Sequence, residues 1–374
     1  MKNVNPMNTK TISELFSQTY AESRQKFLTA AQSRGLAVDS HELKLKGAEG
    51  ETLATDVVLD GPLDASRMLI VISGVHGVEG FTGSAVQTGL LGMALPKPDD
   101  VSVLYVHAIN PFGFSHLRRV TQENVDLNRN FIDFGADLPQ NPGYEHIHEA
   151  LLPPIWPPES DEVLEKYRLE HGGKALQQAM SIGQYTSDDG MWFGGRAPTW
   201  SNDTFRDILR KYTANVEVLA SIDIHTGLGP YGYGEKIFAG YDHDTFKLAQ
   251  DWWGELTNVH TGTSTSVAMS GPIQTAIIQE CASARHIGIC LEYGTYPLER
   301  VITALRADHW AHRYGARLTA KGSAIARHLK DTFYPDELEW QRMVWEQGAQ
   351  SAVQALAGLA DLRQPKSPVT VNFN

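Results

Sequence analysis

Residues 68–80 read MLIVISGVHGVEG, and the change of texture within this stretch frames the fold. Met68 to Ile72 are apolar without alternation, the pattern of a strand buried on both faces of a parallel sheet. Gly74, Gly77 and Gly80 then fence a short polar segment. Glycines at a strand's end serve a sharp turn or a close backbone approach. Inside the fence stand His76 and Glu79, whose lone pairs suit one shared cation. A polar turn with an ordinary hydrogen-bonded histidine is the plainer reading of the same residues.

Upstream, HELKL and LATDVVLDG flank the turn-like KGAEGE and predict a hairpin. Before them, Thr11 to Arg34 has helical spacing and stops at Gly35, a usual helix-ending glycine. Downstream, GSAVQTGLLGMAL predicts a helix and VSVLYVHAINP a strand. Strand, helix, strand at this spacing points to parallel strands joined by helical crossovers. VEVLASIDIH and HIGICLEYG supply two further strands. The expected fold class is α/β, a mixed, largely parallel twisted sheet flanked by helices. Residues 1–374 are expected to form a single catalytic domain, with an insertion at 135–200 and a C-terminal helical tail at 335–362. Six prolines fall between Pro139 and Pro158, and DEVLEKYRLEHGGKALQQAM after them reads as a surface helix. This stretch is expected to wall or cover a site.

The chain has 374 residues, 42% hydrophobic and 20% charged, the balance of a soluble globular protein. A formal net charge of −12 argues against a nucleic-acid partner, whose phosphates it would repel. No apolar run is long enough to span a bilayer, so no membrane partner is expected. The opening MKNVNPMNTK lacks the apolar segment of a secretory signal, and a cytoplasmic location is expected. Cys281 and Cys290 provide neither a disulfide framework nor a four-thiolate zinc site.

Two more motifs join His76 and Glu79 at strand ends. In DIHTGLG, residues 223–229, Asp223 and His225 lie two apart and so share one face of their strand. His225 is a candidate ligand and Asp223 its support. In ICLEYGT, Glu292 interrupts an apolar strand, where a carboxylate is costly unless a cation or a proton compensates it. Ligands of open parallel sheets gather beyond the carboxyl ends of the strands. Two imidazoles and one carboxylate leave a fourth position on zinc for water, and Glu292 suits the role of the base that takes the water's proton. His146-x-x-Glu149 repeats the first spacing, but it follows no strand and reads as a surface pair.

The order of these residues resembles the zinc carboxypeptidase superfamily, which includes the carboxypeptidase A-like peptidases and the aspartoacylase and succinylglutamate desuccinylase branch. The most specific match is NVDLNRNF, residues 124–131, where that superfamily shows Asp-x-Asn-Arg-x-Phe. The pattern spans roughly residues 40–330. The resemblance implies a zinc-carboxypeptidase-like fold and one Zn2+ per chain on His76, Glu79 and His225. It implies that Glu292 is the general base, and that Asn128 and Arg129 grip a substrate carboxylate. An arginine upstream of that pair steadies the oxyanion in such enzymes; Arg118 and Arg119 are both available, and Arg119 is the expected one. A substrate-touching tyrosine is expected among Tyr231, Tyr233 and Tyr241. The implied activity is zinc-dependent hydrolysis of an amide bond next to a free carboxylate, most simply by a metallocarboxypeptidase acting on a small peptide. The rival is an amidohydrolase of N-acyl amino acids, and a third reading is a non-catalytic metal- or ligand-binding protein.

Other residues receive structural readings. His309 and His312 share a helix face as a packed or surface pair. His107 ends a strand and is a candidate to line the site without an assigned role. GGRAPTWSN, residues 194–202, reads as a turn capping the next helix, with Arg196 reaching substrate as the lesser alternative. Trp252 and Trp253 read as helix packing.

Overall fold

The computed structural model describes residues 9–240 and 242–362. Seven strands form one sheet: β1 Val38–Lys46, β2 Thr52–Asp60, β3 Arg67–Ser73, β4 Val101–His107, β5 Val218–Gly227, β6 Gly234–Phe238 and β7 Arg285–Gly294. Their order is β1-β2-β4-β3-β5-β7-β6. The four inner strands β4, β3, β5 and β7 run parallel, and antiparallel strands close both sides. The fold is therefore the expected mixed α/β sheet.

β3 lies near the middle, and its apolar run is buried on both faces. Leu69 and Val71 join a core with the helices Tyr20–Ser33, Gly80–Met93 and Leu338–Asp361. Met68, Ile70 and Ile72 join a second core with the helices Trp200–Tyr212 and Gln274–Glu280. The continuous apolar pattern thus follows from helices on both sides. The C-terminal helix is one rod, as expected, and it is central to the first core. Trp340 Nε1 donates to Gly294 O at 3.0 Å, and Tyr293 Oη donates to Val344 O at 2.9 Å.

Three local readings change. The helix expected from Thr11 to Arg34 is two, Thr9–Leu15 and Tyr20–Ser33. Thr19 caps the second by accepting from Glu22 N at 3.2 Å, while Glu22 reaches back to Gln18 N at 2.8 Å. The two contacts satisfy backbone donors on either side of the new N-terminus and so favour a helix start at Tyr20. The surface helix expected over 161–180 breaks at Gly172, φ +92°, into Glu162–His171 and Gly173–Ser181. β6 was not anticipated; it is a short antiparallel strand on β7.

Candidate metal centre

Strand order reverses at β3, which has β4 on one side and β5 on the other, the place where open α/β sheets bind ligands. His76 lies on the turn after β3, and Glu79 ends the short 3-10 turn Gly77–Glu79. Two backbone bonds pin that turn: Gly77 N donates to Arg119 O at 3.0 Å and Val78 N to Arg118 O at 2.8 Å. A Cβ on Gly77 would overlap the Gly113 backbone, so only glycine permits this approach. His225 sits in β5, in register with Glu292 on β7.

The structure brings His76, Glu79 and His225 together, with one ligand atom from each lying within 4.8 Å of the others. All three are buried. His76 Nε2 donates to Asp126 Oδ1 at 3.2 Å, and His225 Nε2 to Asp223 Oδ2 at 2.8 Å. Each imidazole is thereby oriented with Nδ1 inward. The two Nδ1 atoms stand 3.1 Å apart, at 2.9 and 3.0 Å from the Glu79 carboxylate oxygens. Three acceptor groups aimed at one point call for positive charge there. Burial disfavours a charged His225, yet the Asp223 and Glu79 carboxylates hold its imidazole well above the usual histidine value. Burial would likewise raise the Glu79 carboxyl, but His76 and His225 hold it below the usual range. Two nitrogens and one carboxylate are a donor set that fits zinc. Asp223, His225 and Cys290 form another possible group. It is weaker, because His225 Nε2 is engaged by Asp223, and burial and then the Asp223 charge keep the Cys290 thiol protonated.

Glu292 lines the same cavity, and its Oε1 accepts from Leu228 N at 2.9 Å. Burial, then the nearby Glu79 charge, push its carboxyl up to about 8. A bound cation would bring it down, toward the range useful to a general base.

Of the two arginines, Arg119 lines the cavity. Its Nε donates to Asp126 at 2.9 Å and its Nη1 to Glu79 at 3.0 Å, while Nη2 has no partner among the described residues. Arg118 turns away to Asp308 and Asn124. Asn128 and Arg129 also line the cavity. Asn128 Oδ1 accepts from Ile273 N at 3.0 Å. The Nε and Nη2 groups of Arg129 both donate to Ser181 O, while Nη1 makes a long bond of 3.4 Å to Asn128 O and stands 3.6 Å from Asp126 Oδ1. One edge of this guanidinium is anchored and the other is turned elsewhere.

No described tyrosine lines this cavity. Tyr231 borders a neighbouring depression, Tyr233 is exposed, and Tyr241 lies outside the described residues. His146 is exposed, and Glu149 pairs with Arg313. His107 is buried against Phe27 and Ser84, and His309 is buried in its helix. Arg196 bonds Thr186 O, and Trp253 packs with its Nε1 on Ser351 O. The residue that sequence reasoning left without a role is Asp126, although it belongs to the quoted NVDLNRNF.

Fold and donor set define an α/β protein with a candidate metal centre at the ends of its parallel strands. The chain belongs to the family described as protein of unknown function DUF2817, whose model matches residues 16–347. A comparison with curated proteins gives no match. Among solved structures, the chain is similar to the carboxypeptidase A of Helicoverpa armigera, at 15% identity over 86% of this chain and 75% of that one, TM-score 0.44. It is similar to a metallo-carboxypeptidase of Burkholderia cenocepacia, at 12% identity over 93% and 71%, TM-score 0.46. It is also similar to the succinylglutamate desuccinylase of Chromobacterium violaceum, at 14% identity over 83% and 73%, TM-score 0.36. No described helix is long and apolar enough to cross a membrane.

Proposed function

We propose that the protein is a zinc-dependent hydrolase that cleaves an amide bond next to a free carboxylate, most simply a metallocarboxypeptidase acting on small peptides. The observation that carries this reading is the convergence of His76 Nδ1, His225 Nδ1 and Glu79, with Glu292 paired beside His225 on the next strand. Zinc held by these three residues would supply a Lewis acid for the amide carbonyl and would acidify a water toward neutral pH. The Oε2 of Glu292, left over from the bond between Oε1 and Leu228 N, takes the proton of the attacking water and passes it to the leaving nitrogen. Arg119 Nη2 donates to the oxygen on which charge develops, its guanidinium held still by Asp126 and Glu79. The Asn128 amide and the Nη1–Nη2 edge of Arg129 receive the substrate carboxylate.

The second reading, an amidohydrolase of N-acyl amino acids, would use the same metal ligands, base and carboxylate partners. The zinc-loaded Glu292→Gln variant should keep its metal and lose nearly all hydrolysis; turnover equal to that of the unaltered protein removes Glu292 from the mechanism. Free-acid peptides, their C-terminal amides and N-acyl amino acids, compared by kcat/KM, separate the two readings. Equal cleavage of acid and amide would mean that Arg129 does not recognise a carboxylate.

A further inference from the structure

Above its polar floor the cavity is walled by apolar side chains. Leu176 and Met180 come from the helix Gly173–Ser181, Trp192 from the segment after it, and Val301 and Leu305 from the helix Leu298–Arg313. Met180, Trp192, Val301 and Leu305 are buried in a third core that joins residues of the 135–200 stretch to the helices Leu298–Arg313 and Ala320–Phe333. Packing therefore fixes this wall.

The same short helix also reaches the polar floor. Its last residue is Ser181, whose carbonyl accepts from both Nε and Nη2 of Arg129. One element thus supplies part of the apolar wall, Leu176 and Met180, and the acceptor that aims the guanidinium. Among the described residues, the only acidic side chains lining the cavity are Glu79 and Glu292, both already engaged at the metal centre. Apart from Arg119, Arg129 and the two ligand histidines, the one basic side chain there among the described residues is Arg168, half exposed and paired with Glu165. A charged group pushed against Met180 and Leu305 would lose water and meet no opposite charge beyond the surface-paired Arg168, with Gln177 and Ser266 among the neutral polar side chains of the lining. An aliphatic or aromatic group would shed apolar surface at no such cost.

We propose that the helix Gly173–Ser181 is the specificity element of the site, and that the residue carrying the free carboxylate has a large aliphatic or aromatic side chain seated between Met180 and Leu305. This rests on the reading of Arg129 as the carboxylate's partner. Binding is measured apart from turnover, by calorimetry on the zinc-loaded Glu292→Gln protein with N-acetyl-leucine, -phenylalanine, -alanine, -aspartate and -lysine. Leucine and phenylalanine should bind about tenfold or more tighter than alanine, and aspartate and lysine no tighter than alanine. Adding Met180→Asp should erase that preference, and adding Met180→Leu should keep it, with zinc content unchanged in both. Where the aspartate variant does not fold, Val301→Ala takes its place and should weaken leucine binding severalfold while sparing alanine. Equal affinities across the series, or a preference untouched by these changes, overturn the proposal. Turnover of the unaltered protein on matching substrates separates the two claims. Selective binding without hydrolysis leaves the chamber standing and removes the hydrolase, and hydrolysis without selectivity does the reverse.

Discussion

Asp126 is fully buried and accepts from three directions: His76 Nε2 at 3.2 Å, Arg119 Nε at 2.9 Å and the Asn128 backbone N–H at 3.0 Å. Burial works against its charge, but Arg119, Arg129 and His76 hold its carboxyl well below the usual range. It therefore fixes the tautomer of one ligand and the pose of the arginine that touches another. Partners of this kind commonly contribute 10–100-fold to metal affinity. Asp126→Asn should weaken zinc binding by about that factor in a competition titration against a chelator, and unchanged affinity would mean that His76 needs no such orientation. The role of Asp223 was readable because two-residue alternation puts it on the face of His225. That of Asp126 was not, since no linear spacing tells which of many carboxylates meets an imidazole 50 positions away. The choice between Arg118 and Arg119 has the same character: adjacent residues point opposite ways, and the backbone bonds to Gly77 and Val78 decide which faces the cavity.

Among the elements, the strands were legible where burial imposes a pattern. β3, β4 and β5 carry apolar runs because helices cover both faces of the inner sheet, while β7 gives one face, Ile287, Ile289, Leu291 and Tyr293, to the first core. β6 carries no such run: its GEKIF sets two charged residues before two apolar ones at the sheet's edge, without alternation and too short to separate from a loop. Helix ends were missed where the signal is a single contact. Thr19-x-x-Glu22 was present as a capping box inside an apparently continuous period, and Gly172 as one glycine of a pair. The turn between His76 and Glu79 offers the sharpest test at this scale. Gly77 has an ordinary φ, yet a Cβ there would strike the Gly113 backbone, which cannot swing aside as a side chain can. Gly77→Ala should therefore cost about 2 kcal/mol or more in urea unfolding of the metal-free protein, and should also weaken zinc binding by displacing Glu79. Retention of both stability and affinity would show that the turn tolerates a shift of the segment that holds Arg118 and Arg119.

At the scale of the molecule, two histidines outside the ligand set are buried where a charged ring is disfavoured. Burial pushes His107 down to about 4 and His309 to about 3. The Nδ1 atoms of His107 and His309 have no hydrogen-bond partner among the described residues, so neither ring has a second acceptor to receive a new proton. In the unfolded chain each would titrate near 6.5. Between pH 6.5 and about 4 the unfolded chain therefore binds protons that the folded protein refuses, and stability falls with pH across that window. Carboxylates held low, such as Asp56, Asp126 and Asp308, act in the same direction but at lower pH, below the ordinary aspartate value. The metal ligands would obscure the measurement, since the His225 imidazole is held high and contributes with the opposite sign. A difference experiment avoids this. His107→Gln keeps an amide within reach of Ser84 and removes a single titration, flanked by Asp56 and Arg24, whose charges work against each other on the ring. Urea midpoints of the metal-free proteins should fall less steeply for the variant between pH 6.5 and 4. The gap in slope should be at most about 1.4 kcal/mol per pH unit, the worth of one proton. Parallel slopes across that window would mean that His107 takes up its proton as readily in the folded protein as in the unfolded chain.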